Sequence, residues 1–147
     1  MNPAKLTALI DATWPAAGYS RADGFTIREG CGAGSRVSAA SAGSLAQAEG
    51  SAIDAAEAAM RDLGQKPLFM VRAGEDTLDA ALAARGYAVK DPVVLYSAPV
   101  GALATKRPPP VTSFEVWPPL AIEAEMWADG GIGPERLAVM DRAAGPK

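Results

Sequence analysis

The chain has 147 residues, 49% of them hydrophobic and 21% charged, a balance typical of a folded globular protein. Its formal charge is −3 and no basic cluster is longer than Lys106-Arg107, so the sequence indicates no nucleic-acid partner. Histidine is absent, which excludes a Ser-His-Asp or Cys-His pair and the commonest catalytic zinc sites, and no metal site is predicted. The chain contains no export signal and no run near the roughly 20 apolar residues that span a bilayer, and its single cysteine, Cys31, reads as an ordinary small apolar residue. We expect a cytoplasmic protein with no membrane association.

The first fifty residues predict one helix and one hairpin. Asn2 can cap a helix that Pro3 begins, and apolar residues then recur at helical spacing. The segment Phe25–Glu29 alternates like a strand, GCGAGS turns the chain, and Val37 leads the second strand. Small and polar residues over 41–50 predict a loop.

The next fifty residues alternate between helical and extended patterns. Residues 51–63 have one apolar face and a following glycine, which predicts a helix. PLFMVR is a nearly continuous apolar run and predicts a strand covered on both faces. A further helix is predicted over 75–85, and short strands over 87–89 and 93–96. The class expected from this order is α/β, with a mixed sheet flanked by helices.

The remainder of the chain begins with GALATKRPPP, whose three prolines favour a stiff extended connector. A strand is then predicted over 112–117, a helix from Pro118 through Trp127, and a last helix from Pro134 to Gly145. One strand and two helices are too few to close a core of their own, so this unit is incomplete or leans on the first. We therefore expect a domain over 1–100, a linker over 101–110 and an incomplete second unit over 111–147.

Two groups of residues are candidates for binding. Closely spaced glycines over 30–34 could expose amides to a phosphate, but the spacing matches neither phosphate-loop pattern and a strand is predicted to follow, which favours a hairpin turn.

In the second unit, Glu125 and Asp129 are four residues apart and share a helical face, whereas Glu123 lies well round from Glu125. Trp117 and Trp127 bracket these acids with apolar bulk. The prediction is a substrate-binding surface made of these two tryptophans with Glu125 and Asp129. The alternatives are a solvated helix surface for the acids and, for the tryptophans, packing in the core or at the seam between the two units.

The order helix, hairpin, helix, strand, helix and strand, ending in LDAALAARGYAVKDPVVLYSAPV, resembles the closing part of a GNAT-superfamily acyltransferase domain. There a helix of small and apolar residues ends in a Gly-aromatic pair, and a terminal strand follows. VTSFEVWPPLAIEAEMWADGGIGPERLAVMDRAAGPK resembles the opening of another such domain, with its first strand and the two helices that flank the acceptor pocket. The resemblance implies transfer of an acetyl group from acetyl-CoA to a small-molecule or peptide amine.

The chain departs from that family in one respect. The family holds the CoA pyrophosphate on a loop of pattern [QR]xxG[x][GA] that opens a central helix, and residues 28–34 contain arginine and glycines but are predicted to lie in a hairpin. No catalytic and no cofactor-binding residue can therefore be assigned, and the chain is expected to be inactive alone. It is either the N-terminal part of a longer enzyme, which its stop at Lys147 favours, or a natural degenerate relative.

Two other functions remain open. The chain could be a non-catalytic GNAT-fold module for binding or dimerisation, since apolar surface on an incomplete second unit would favour a homodimer. It could also be an unrelated small α/β enzyme that uses Asp or Glu, which burial of Glu125 and Asp129 in a pocket would support.

Overall fold

The computed structural model describes residues 3–43, 50–114 and 116–143, and within them the chain forms a mixed α/β fold. The helices are α1 Pro3–Thr13, α2 Ser35–Ser38, α3 Gly50–Asp62, α4 Asp76–Ala84, α5 Val100–Leu103, α6 Ala121–Asp129 and α7 Pro134–Arg142. The strands are β1 Gly18–Ala22, β2 Phe25–Glu29, β3 Ala40–Ala42 and β4 Phe69–Met70. The α/β class predicted from the sequence is confirmed at this level.

The four strands form one sheet in the order β1-β2-β3-β4. The first three are antiparallel neighbours, with Gly18 opposite Glu29 and Phe25 opposite Ala42, whereas β3 and β4 are parallel, with Ala40 opposite Phe69. The parallel pair requires a crossover, and α3 lies in that connection. The sheet is therefore mixed, with β1 and β4 at its edges.

The predicted hairpin joins a different pair of segments in the structure. Phe25–Glu29 is a strand, but it pairs with the preceding segment Gly18–Ala22 through the two-residue turn Asp23-Gly24. Both turn residues have positive φ, 40° and 87°, and an Asp-Gly pair suits such a turn because its backbone matches the twist of the flanking strands.

The glycine-rich segment after β2 is followed by the short helix α2, which contains Val37, so the strand predicted there was wrong. The predicted loop over 41–50 was also partly wrong, because Ala40–Ala42 is β3 and α3 starts at Gly50. Residues 44–49 of that prediction lie outside the described part, as does the proposed cap Asn2.

The main core lies between α3, α4 and the sheet. The periodicity of residues 51–63 correctly predicted α3, which buries four residues, Ala52, Ile53, Ala56 and Met60. Gly64 follows with φ 70°, as its predicted role in ending the helix requires. Phe25 and Ile27 from β2 and Leu78 and Leu82 from α4 complete this cluster.

The residues after α4 form less regular structure than the sequence predicts. PLFMVR contributes only the two-residue β4, whose side chains are half-buried and not covered on both faces. The segments 87–89 and 93–96 are not in strands, nor is any described residue of 112–117. A strand requires a neighbouring strand, and the sheet of the described residues contains only β1 to β4. Apolar composition alone was therefore a misleading signal.

In the predicted linker, α5 occupies its first residues and 104–110 lack regular structure. Helix α6 begins at Ala121 rather than at Pro118 and continues to Asp129, two residues beyond the predicted end. Pro134 does open α7, whose predicted end at Gly145 lies outside the described residues.

A second, smaller cluster connects α7 to the N-terminal part. Val139 is fully buried and packs with Ala16, Ala33 and Val37, with Trp14 at the margin. The last helix thus packs against residues of the N-terminal part of the chain.

Candidate functional site

The predicted acceptor-side residues lie in and beside α6. Glu125 and Asp129 are exposed on this helix, whereas Trp117 and Trp127 are partly buried. Glu123 has a local role, since its Oε2 accepts a hydrogen bond from the Leu120 amide at 2.8 Å and so caps the first turn. An exposed carboxylate pair one turn apart can attract a cation, but it lacks the burial that turns a carboxylate into a general base.

Two surface depressions of the described residues do not include those residues. One, of about 730 Å³, is lined by Arg107, Pro108, Pro109, Pro110, Val111 and Ser113. The other, of about 150 Å³, lies against β1 and β2 and is lined by Gly18, Tyr19, Ser20, Ile27, Glu29 and Leu63. The described residues therefore do not enclose Glu125 or Asp129 in either cavity.

The glycine-rich loop 30–34 is held by contacts at both ends. The Gly30 amide donates to Gln65 Oε1 at 2.6 Å, and Gln65 Nε2 donates to the Arg28 carbonyl at 2.9 Å. A methyl group at Gly30 would lie 2.0 Å from Ser38 Oγ, so only glycine fits. Cys31 is exposed with φ 47°.

The far end of the same loop lies beneath α7. Ala33 is buried against Val139, and a methyl group built on Gly32 would be 3.6 Å from Glu135 Cγ. The segment that follows is the four-residue helix α2, which is too short to supply the strong N-terminal dipole of a phosphate loop. The loop is thus a packed connection between α7, α2 and Gln65.

A buried ion pair joins α1 to the sheet. Arg28 on β2 is 1% exposed, and its Nε and Nη2 donate to the two carboxylate oxygens of Asp11 at 2.9 and 2.8 Å. Its Nη1 donates to the Ala39 carbonyl and to Ser41 Oγ, both at 2.9 Å. All of these hydrogen-bond partners of Arg28 belong to α1 or to the segment that contains β3, so the guanidinium of Arg28 has a structural role. The sequence analysis missed it because the β2 pattern gave no reason to expect a charged residue facing inward.

A second charged network joins α3 to the residues that follow α4. The Tyr87 hydroxyl donates to Glu57 Oε1 at 2.9 Å, and Arg61 donates to Glu57 Oε2 at 2.6 Å. Arg85 donates to Asp54 Oδ1 at 2.7 Å and lies 3.5 Å from Glu57. Burial raises the pKa of Glu57, but the hydrogen bonds from Arg61 and Tyr87 outweigh it and leave that pKa lowered.

Tyr87 should make the stability of the protein fall at alkaline pH. Burial, followed by the hydrogen bond to Glu57, raises the pKa of Tyr87 from 10.0 to about 12. The neutral phenol is therefore favoured in the folded chain, so its contribution to stability is complete below pH 10.0 and is lost as the pH rises through about 12. In Tyr87→Phe, urea unfolding should show a shallower decline across this window.

Phe114→Ala is the control, because Phe114 is 74% exposed and has no group that titrates, so the alkaline slope should be unchanged. Equal slopes for Tyr87→Phe and the parent would contradict the role of this phenol.

Among the described residues, no group of three or more Cys, Asp and Glu could hold a metal ion. In the same ranges no helix is long and apolar enough to cross a membrane. Compared with known proteins, the chain matches no family model, no curated protein and no solved structure.

Proposed function

We propose that this chain is a GNAT-like unit of an N-acetyltransferase, which transfers an acetyl group from acetyl-CoA to a small-molecule or peptide amine. The chain itself lacks the acyl-CoA-binding loop and is inactive alone. Support for the family comes from the order of α3, β4 and α4 and from the Gly86-Tyr87 pair that follows α4 after Arg85, which are part of the arrangement on which the resemblance rests.

The packing of the glycine-rich loop 30–34 is the observation that supports the proposed inactivity of the chain alone. Gln65 occupies its first amide, α7 covers its far end, and a four-residue helix follows. The residues present therefore do not fit a CoA pyrophosphate. What its own residues can do is to bind an amine cation at Glu125 and Asp129, which are exposed and one helical turn apart.

Two assays test this proposal. Calorimetric titration of the 147-residue chain with acetyl-CoA should give no binding. The complete product of the gene, including whatever is encoded after Lys147, should release CoA thiol from acetyl-CoA in the presence of a panel of primary amines. A complete product that is silent across the panel, or a reading frame that ends at Lys147, would overturn the enzyme proposal.

In the active product, Glu125→Gln should raise the KM for the amine about two- to fivefold with little change in kcat, because an exposed ion pair contributes up to about 1 kcal/mol. Asp62→Asn is the control, since Asp62 is an equally exposed acid at the end of α3. A KM that Glu125→Gln leaves unchanged would remove α6 from the acceptor site.

A second candidate function is a non-catalytic GNAT-fold module for binding or dimerisation. One observation favours it, namely the large apolar surface that the chain exposes between α4 and α6. Silence of the complete product on the amine panel would favour this module.

A further inference from the structure

The segment from Val89 to Leu103 exposes a run of large apolar side chains, and contiguous exposed apolar patches often mark interaction sites. Its large apolar side chains are each between 49% and 92% exposed, namely Val89, Val93, Val94, Leu95, Tyr96, Val100 and Leu103. Helix α5, which lies within it, buries no residue at all. The segment therefore contributes almost nothing to the core of its own chain.

The start of this segment is nonetheless fixed to the folded part. The Tyr87 ring packs edge-on against Phe69 with centroids 5.4 Å apart, and its hydroxyl donates to Glu57. Three residues later, Lys90 Nζ donates to Ser35 Oγ at 2.9 Å. These contacts fix the start of the segment on the folded part of the chain. Less conformational entropy is therefore lost when the apolar residues beyond Lys90 bind a partner.

The chemistry of the segment suits a surface like itself. Residues 92–105 form the longest uncharged run of the chain, so two copies can meet here without opposing like charges despite the formal charge of −3. Residues 93–96 are Val-Val-Leu-Tyr, which have high β-propensity, yet they have no strand partner among the described residues. Antiparallel pairing of this stretch with its own copy would supply that partner.

The apolar side chains of the segment are continuous enough to form one patch. Six of the seven are at least 72% exposed and Leu95 is 49% exposed, so nearly the whole patch is open to a partner. A two-fold arrangement buries the same patch on both chains and closes the assembly at two.

We propose that residues 89–103 are a homodimerisation surface whose occupant is a second copy of this chain, with residues 93–96 of the two chains pairing as antiparallel strands. This inference goes beyond acetyl transfer and deepens the second candidate function, since it names the partner and the surface. The experiments below measure association directly, so their outcome is distinguishable from that of the acetyl-CoA and amine assays.

Sedimentation equilibrium of the 147-residue chain tests the proposal. The parent should show a reversible monomer–dimer equilibrium, and Val94→Lys with Tyr96→Lys should weaken dimerisation at least 100-fold, since the change places like charges at the centre of the interface. Leu9→Lys is the matched control, because Leu9 is 53% exposed on α1, and it should leave the equilibrium unchanged. A monomer at all concentrations, growth beyond the dimer, or equal weakening by the control would each overturn the proposal.

Disulfide trapping gives a second measurement that does not depend on weakening the dimer. In a Cys31→Ser background, a mixture of Val94→Cys and Leu95→Cys chains should form a covalent dimer under mild oxidation, because antiparallel pairing over 93–96 places residue 94 of one chain opposite residue 95 of the other. Ser20→Cys on the exposed strand β1 should not form one. Equal trapping of the mixture and of Ser20→Cys would place the contact elsewhere and contradict the proposal. Far-UV circular dichroism establishes that each variant is folded.

Discussion

Replacing Asp11 with alanine should lower the free energy of unfolding by about 3–5 kcal/mol, because it leaves the Arg28 guanidinium buried without a counter-charge. Arg28 is 1% exposed, and the Asp11 carboxylate accepts hydrogen bonds from its Nε and Nη2. Water therefore cannot take the place of the lost carboxylate without a large cost in free energy. Urea unfolding monitored by circular dichroism measures the change. The loss is large compared with the 5–15 kcal/mol that is typical of whole domains.

Two further variants separate the pair from general damage to α1. Asp62→Ala removes an exposed acid from another helix and should change stability by no more than about 0.5 kcal/mol. The double variant Asp11→Ala with Arg28→Met should be less destabilised than the sum of its single variants, because the uncompensated charge is gone. Additivity of the two substitutions would show that the ion pair is not the source of the effect.

Phe25→Ala should destabilise the chain by a similar amount, about 3–5 kcal/mol, which is the usual cost of emptying a fully buried phenylalanine site. Phe25 is 0% exposed and lies at one end of a chain of edge-on rings, with its centroid 5.5 Å from that of Phe69. The substitution removes apolar burial from the core and this ring contact together.

Phe114→Ala is the control for the loss of a phenyl ring. Phe114 is 74% exposed, so its removal should change the midpoint of urea unfolding very little. If the two variants unfolded at the same urea concentration, the proposed core around β2 would be wrong.

The parts of the fold that the sequence predicts well are those with a strong local signal. Helix α3 has an apolar stripe and a terminal glycine, and both are sufficient to define it without knowledge of the rest of the chain. The strand errors have a different origin. Residues 93–96 have strand composition, but whether they form a strand depends on a partner elsewhere, which no local pattern contains.

The sequence contains a local signal for the observed hairpin, the Asp23-Gly24 pair. Asp23-Gly24 is a stronger turn marker than GCGAGS. Both central residues of such a two-residue hairpin turn have positive φ, and an Asp-Gly pair adopts that conformation readily. The glycines at 30–34 instead serve close packing, as the approach of Gly30 to Ser38 demonstrates.

The candidate site was less predictable than the fold. Helical spacing placed Glu125 and Asp129 on one side of α6 correctly, but spacing carries no information about exposure. The polar groups that the structure does bury, Arg28 above all, were invisible because a buried charge depends on a partner seventeen residues away in sequence.

The docking of Val139 gives the proline-rich segment a second role. Residues 104–114 lie between an anchored Lys90 and a buried Val139, so they act as a tether that keeps α7 beside its binding surface. Tethers of this kind raise the local concentration of the attached element to the millimolar range. A contact as small as the one around Val139 can therefore persist within one chain, although the same two surfaces on separate molecules would hardly associate.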